Sequence, residues 1–81
     1  MTDPDEFLRA LGKRIRLLRL TAESTQDDVA ARTDISRSFV SLIEHGAHGI
    51  DVVRLMRIAD AFDMRLSDLI AGSSSASVVS V

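Results

Sequence analysis

The sequence predicts an all-α domain of five helices, and three observations carry that expectation. Leu8, Leu11, Ile15, Leu18 and Ala22 recur at alternating spacings of three and four, the period of one helix face. Capping residues stand just ahead of the later apolar runs: Thr25, Ser36 and Asp51. Between them, TQDDVAARTDISRSFVSLIEHG, residues 25 to 46, reads as two short helices joined by a tight turn.

The first helix opens at Asp3-Pro4-Asp5-Glu6, with Asp3 as N-cap, Pro4 at the first helical position and Glu6 three residues after the cap. It is expected to run to about Ala22, with Lys13, Arg14 and Arg16 largely outside its apolar stripe. Thr25 caps the second helix, and Gln26, Asp27 and Asp28 form its first turn, where carboxylates meet the positive end of the helix dipole. Beyond about Arg32, Thr33-Asp34-Ile35 breaks the pattern. Ser36 then caps a third helix with Val40 and Ile43 inward and Gly46 as its stop signal. A small residue, Ala30, is expected where the third helix crosses the second, and Val29, Ile35, Val40 and Ile43 are expected to form one buried seam. Asp34 is expected to take the left-handed conformation of the turn, which it tolerates better than most non-glycines.

Asp51 caps the fourth helix, with Val52, Leu55, Ile58, Ala59 and Phe62 inward, Arg54 and Arg57 outside, and Asp63 at its end. Met64, Leu66, Leu69 and Ile70 make a short fifth helix, unusually apolar for its length. They are expected to form a seam with a second copy, some of them closing the monomer core instead. From Gly72 the chain turns to Gly, Ser, Ala and Val without charge or periodicity, so residues 1–71 are expected to form the domain and 72–81 a flexible tail.

Composition narrows the function classes. A chain of 81 residues makes one domain and buries only about 60% of its unfolded surface, so a partner would add stability. It has no cysteine, hence no disulfide framework or thiolate metal site, and its apolar runs are far shorter than the ~18 residues of a membrane span. The expected setting is the cytoplasm. Ten Lys and Arg against twelve Asp and Glu give −2, an unpromising balance for a nucleic-acid partner. The acids Asp3, Asp5 and Glu6 precede every basic residue, however, and from Arg9 to Ile70 ten basic residues face nine acidic ones, or +1. Nucleic-acid affinity would therefore depend on a few placed arginines and helix termini.

The ordered motifs LGKRIRLLRL, Gln26-Asp27-Asp28-Val29-Ala30, Ser36-Arg37-Ser38-Phe39-Val40-Ser41 and Ile43-Glu44-His45-Gly46, continuing through LMRIADAFDMRLSDLI, resemble the lambda-repressor-like (Cro/repressor, XRE) helix-turn-helix family over roughly residues 9 to 70. The resemblance implies a five-helix DNA-binding domain whose recognition helix, about residues 36–45, enters the major groove. It also implies an Arg19–Glu44 pair holding that helix against the first one, with Arg19 reaching a phosphate as well. Thr21-Ala22-Glu23-Ser24 departs from the family: Ser24 stands where an apolar residue is usual, so the first helix should extend further or this corner should pack less well.

Within that frame, Arg37, Ser38, Ser41 and Leu42 face outward as base contacts. Arg37 is the principal one, because a guanidinium forks onto guanine O6 and N7. Ser36 at the helix N-terminus, Gln26 by side chain or backbone N–H, Arg19, Arg16 and His48 are the expected phosphate contacts. Lys13, Arg14 and Arg16 read equally as a solvated face. Phe39 either packs at the helix junction, the favoured reading, or lies along the sugar–phosphate backbone. The loop Ala47-His48-Gly49 lacks the basic residues usual in relatives, and His45 and His48 can contact phosphate as they protonate. Two histidines three apart without a third ligand make no metal site, and no cofactor or small-molecule ligand is expected.

The expected function is sequence-specific transcription regulation by a homodimer on double-stranded DNA bearing an inverted repeat. Phe39-Val40-Ser41 and Gly49-Ile50-Asp51 resemble the restriction–modification controller branch, beside phage repressors and antitoxin-type autoregulators. The alternative is a protein–protein interaction module of the same fold without DNA binding. No catalytic constellation stands out, and an enzyme is not expected.

Overall fold

The computed structural model describes residues 3–47 and 49–72, and the chain within them is helical. The helices are α1 (Pro4–Thr21), α2 (Gln26–Thr33), α3 (Arg37–Glu44), α4 (Val52–Ala61) and α5 (Leu66–Ala71). His48 and residues 73–81, which hold most of the expected tail, lie outside the described residues.

Local chemistry accounts for where the helices begin. Asp3 accepts the Asp5 N–H ahead of Pro4. At α2, Thr25 Oγ1 accepts the Asp28 N–H at 3.0 Å while Asp28 Oδ2 accepts the Thr25 N–H at 2.9 Å, a reciprocal capping box. These hydrogen bonds from Thr25 hold the Asp28 carboxyl below its ordinary pKa. Ser36 Oγ accepts the Phe39 N–H at 3.1 Å and starts α3. Asp51 occupies the α4 cap position without a side-chain cap bond; its carboxylate accepts from Arg54 at 3.0 Å instead.

Three helices end the same way. After α1, α3 and α4 the chain turns through one left-handed residue, Glu23, Gly46 and Asp63. The N–H groups of Ser24, Ala47 and Met64 then reach back to the carbonyls of Arg19, Leu42 and Ala59, each at 3.0 Å. This satisfies carbonyls the helix end would leave unpaired. Asp34, at φ 57°, makes the left-handed turn between α2 and α3 as expected. Glu23 at φ 54° resolves the departure at residues 21–24: α1 stops at Thr21, and Ala22 is an exposed cap residue outside the apolar stripe.

Helix α3 packs on α1 and α2, α4 on α2, and α5 closes the bundle against α4 and α1. Their shared core is Leu11, Ile15, Val29, Ile35, Val40, Ile43, Leu55, Ile58, Ala59 and Leu69. It contains the whole expected seam of Val29, Ile35, Val40 and Ile43. Two further expectations change. Val52 is 60% exposed, and Leu69, expected at a seam with a second copy, is 0% exposed and closes the monomer core. Met64, expected in the fifth helix, lies ahead of α5 and closes the end of α4; it is half-buried, as are Leu66 and Ile70.

At Gly12 two helices come close together. A Cβ there would lie 2.5 Å from the carbonyl oxygen of Ile43 and 2.7 Å from that of Glu44, backbone atoms that cannot swing aside. The end of α3 therefore rests directly on α1, which fixes the angle at which α3 leaves the domain. Thr33, also buried, satisfies its hydroxyl by donating to the Val29 carbonyl at 2.7 Å. Arg14 is half-buried, and its guanidinium donates to the carbonyls of Leu69 at 3.1 Å and Asp68 at 3.3 Å, tying α5 to α1.

Candidate nucleic-acid interface

The eight residues of α3 divide sharply between two faces. Val40, Ile43 and Glu44 are buried, whereas Arg37, Ser38 and Leu42 are exposed and Ser41 is half-buried. The exposed set is the one the sequence marked for base contact, and Gln26, Arg37, Ser38, Ser41 and Leu42 line one shallow recess of about 400 Å³. Its lining thus combines a guanidinium, an amide, two hydroxyls and an apolar side chain. That combination can donate to acceptors, exchange hydrogen bonds either way, and touch a methyl group.

A buried polar cluster holds the C-terminal end of α3. Arg19 donates from Nε to Glu44 Oε2 at 2.7 Å and from Nη2 to Oε1 at 3.0 Å, and its third nitrogen, Nη1, donates to the Ser24 carbonyl at 3.1 Å. The two side chains are 11% and 2% exposed. The hydrogen bond to Glu44 raises the Arg19 pKa against the lowering effect of burial, so the guanidinium stays charged. These bonds use three of the five guanidinium N–H groups and position α3, leaving one N–H on each of Nη1 and Nη2.

Gln26 joins the same cluster, its Nε2 donating to Glu44 Oε1 at 3.3 Å. That bond uses one of the two Nε2 protons, so the side chain keeps a second donor beside the backbone N–H at the start of α2. Arg16, exposed, lines a small recess with Arg19, Gln26, Glu44 and His45. His45 is exposed and its Nδ1 lies 2.7 Å from the Ser41 carbonyl, so in the tautomer that donates there Nε2 faces away. Ser36 keeps its hydroxyl proton for a ligand, because toward Phe39 it only accepts.

Phe39 is half-buried against the core with the Arg54 guanidinium 4.8 Å above its ring, so it packs at the junction. Residue patterns had missed Gly12, Arg14, the Gln26–Glu44 bond and the left-handed Glu23. Gly12 had a legible signal, since a lone glycine inside a strongly periodic helix calls for a close backbone approach. The others depend on which distant helix end comes within reach.

A family model of the Cro/C1-type HTH DNA-binding domain matches residues 14–71. Among solved structures the fold is similar to the restriction-modification controller protein C.AhdI from Aeromonas hydrophila, with 29% sequence identity and a TM-score of 0.73 over 76% of this chain and 94% of that one. No curated protein matches the chain. Among the described residues no helix is long and apolar enough to cross a membrane.

Proposed function

The chain belongs to the Cro/C1-type helix-turn-helix DNA-binding family, and on that premise we propose that it is a transcription regulator that binds an inverted-repeat operator as a homodimer. The observation that carries this reading is the polar outer face of α3, held clear of the core by the Arg19–Glu44 clamp. Arg37 reads a guanine, Ser38 and Ser41 tune the neighbouring positions, and Leu42 meets a thymine methyl. The α2 start, Ser36 and Arg16 set the register on phosphates.

Similarity to a restriction-modification controller supports the controller role over the other autoregulators of the family. Two copies related by a two-fold axis would place their recognition helices roughly 34 Å apart in successive major grooves. The half-buried Met64, Leu66 and Ile70 supply the proposed dimer surface, without Leu69, and the exposed Val52, Val53 and Met56 of α4 extend it.

Selection of bound fragments from random duplex DNA tests the whole reading. An inverted-repeat motif is expected, and Arg37→Ala should cost roughly 1–3 kcal/mol on it while relaxing one base pair per half-site. A motif without symmetry removes the dimer. No enrichment at all favours the interaction-module alternative, which the weak net charge already allows.

A further inference from the structure

We propose that Asp27 is a positioning residue for Arg37 and sets how sharply one base pair of the operator is discriminated; this deepens the DNA-binding reading and rests on it. Asp27 Oδ1 lies 3.5 Å from Arg37 Nε, bridging the start of α2 to the start of α3. The pair is open to solvent, at 67% exposure for Arg37 and 74% for Asp27. At that separation the contact is an ion pair, longer than a well-formed hydrogen bond.

What matters is the nitrogen it uses. Nε is the inner nitrogen of the guanidinium, so a carboxylate beside it leaves Nη1 and Nη2 to fork onto guanine O6 and N7. An unrestrained arginine would lose rotamer freedom on docking, and Asp27 removes part of that freedom beforehand. Arg37 also stands between two recesses, one formed with Ser38, Ser41 and Leu42 and the other with Arg19, Glu23, Thr25 and Asp27. Asp27 lines the second of these and not the first.

Its charge acts a second time. An acid on a surface that faces phosphates weakens attraction to every duplex alike, while its bond to Arg37 helps only where a guanine waits. Asp27 therefore trades general affinity for selectivity. As an acid in the first turn of α2 it also favours the helix dipole, but that structural role would not change preference at one base pair.

The test compares the wild type, Asp27→Ala, Arg37→Ala and the double variant on three duplexes: the selected operator, the operator altered at the pair read by Arg37, and a random sequence. Asp27→Ala should tighten binding to the random duplex and lower discrimination at that pair by about two- to fivefold, the range of an exposed ion pair. The loss of discrimination should vanish in the Arg37→Ala background, fade at high salt and be restored by Asp27→Glu. Equal factors on all three duplexes, or the same loss without Arg37, would overturn the proposal while leaving DNA binding intact. A wild type that binds none of the three overturns the underlying reading, and this inference with it.

Discussion

At the C-terminal end of α3, Glu44 is enclosed and accepts from Arg19 and Gln26, whereas at the N-terminal end Arg37 stands in solvent with a single long ion contact to Asp27. Both arginines face a carboxylate, but they do different jobs. Around Arg19 little water competes, so two short charge-assisted hydrogen bonds fix a geometry. Around Arg37 water screens the pair, so the guanidinium is biased yet free to be taken by a ligand. A reading helix of two turns needs both conditions: one end immobile enough to set its angle, the other loose enough to exchange partners.

That contrast can be broken at either end. Removing the carboxylate at the fixed end should have the largest effect. Glu44→Ala leaves a largely buried guanidinium without its acceptor and should cost about 3 kcal/mol, read from the urea unfolding midpoint. Replacing both partners, as in Arg19→Met with Glu44→Leu, should cost clearly less than Glu44→Ala alone, because no charge is left stranded. A double variant no better than the single one would mean the cluster stabilises through packing.

Gly12→Ala tests the same end through its backbone. The added Cβ meets the Ile43 and Glu44 carbonyls, and a loss of about 2 kcal/mol is expected even though alanine is the better helix former. If the variant is as stable as the wild type, α3 can slide on α1 and its exit angle is not fixed there. Glu23→Gly should act in the opposite direction. It relieves a left-handed non-glycine residue and takes an acid away from the negative end of α1, adding about 1 kcal/mol. The smallest change is expected at the open end, where Arg37→Ala should shift stability by less than about 0.5 kcal/mol while relaxing preference at one base pair of the half-site. A large thermal shift from Arg37→Ala would show that the two ends are not separable.

Much of this arrangement was legible along the chain because it is local. The capping roles of Thr25 and Ser36, the left-handed Asp34 and the outward Arg37, Ser38 and Leu42 follow from neighbours within one or two helical turns. Arg19 with Glu44 was reached by resemblance alone, since no periodicity connects residues 25 apart. Val52 and Leu69 were misplaced for a related reason. At the first turn of α4 the helix has not yet come over the core, and on α5 every apolar residue looks alike until α1 and α4 determine which one points inward.

The sequence by itself determined five helices, the starts of α1 to α4, the buried seam and the outward side chains of α3, because capping, turn chemistry and periodicity act over a few residues. Tertiary structure alone decided that Arg14 would tie down α5, that the Gln26 side chain would reach Glu44, and that Asp27 would stand beside Arg37. The physical reason is reach. A charged side chain takes whichever partner the crossing of helices brings within about 3 Å, the length of a hydrogen bond, and those crossings are set by close contacts such as Gly12 against the end of α3.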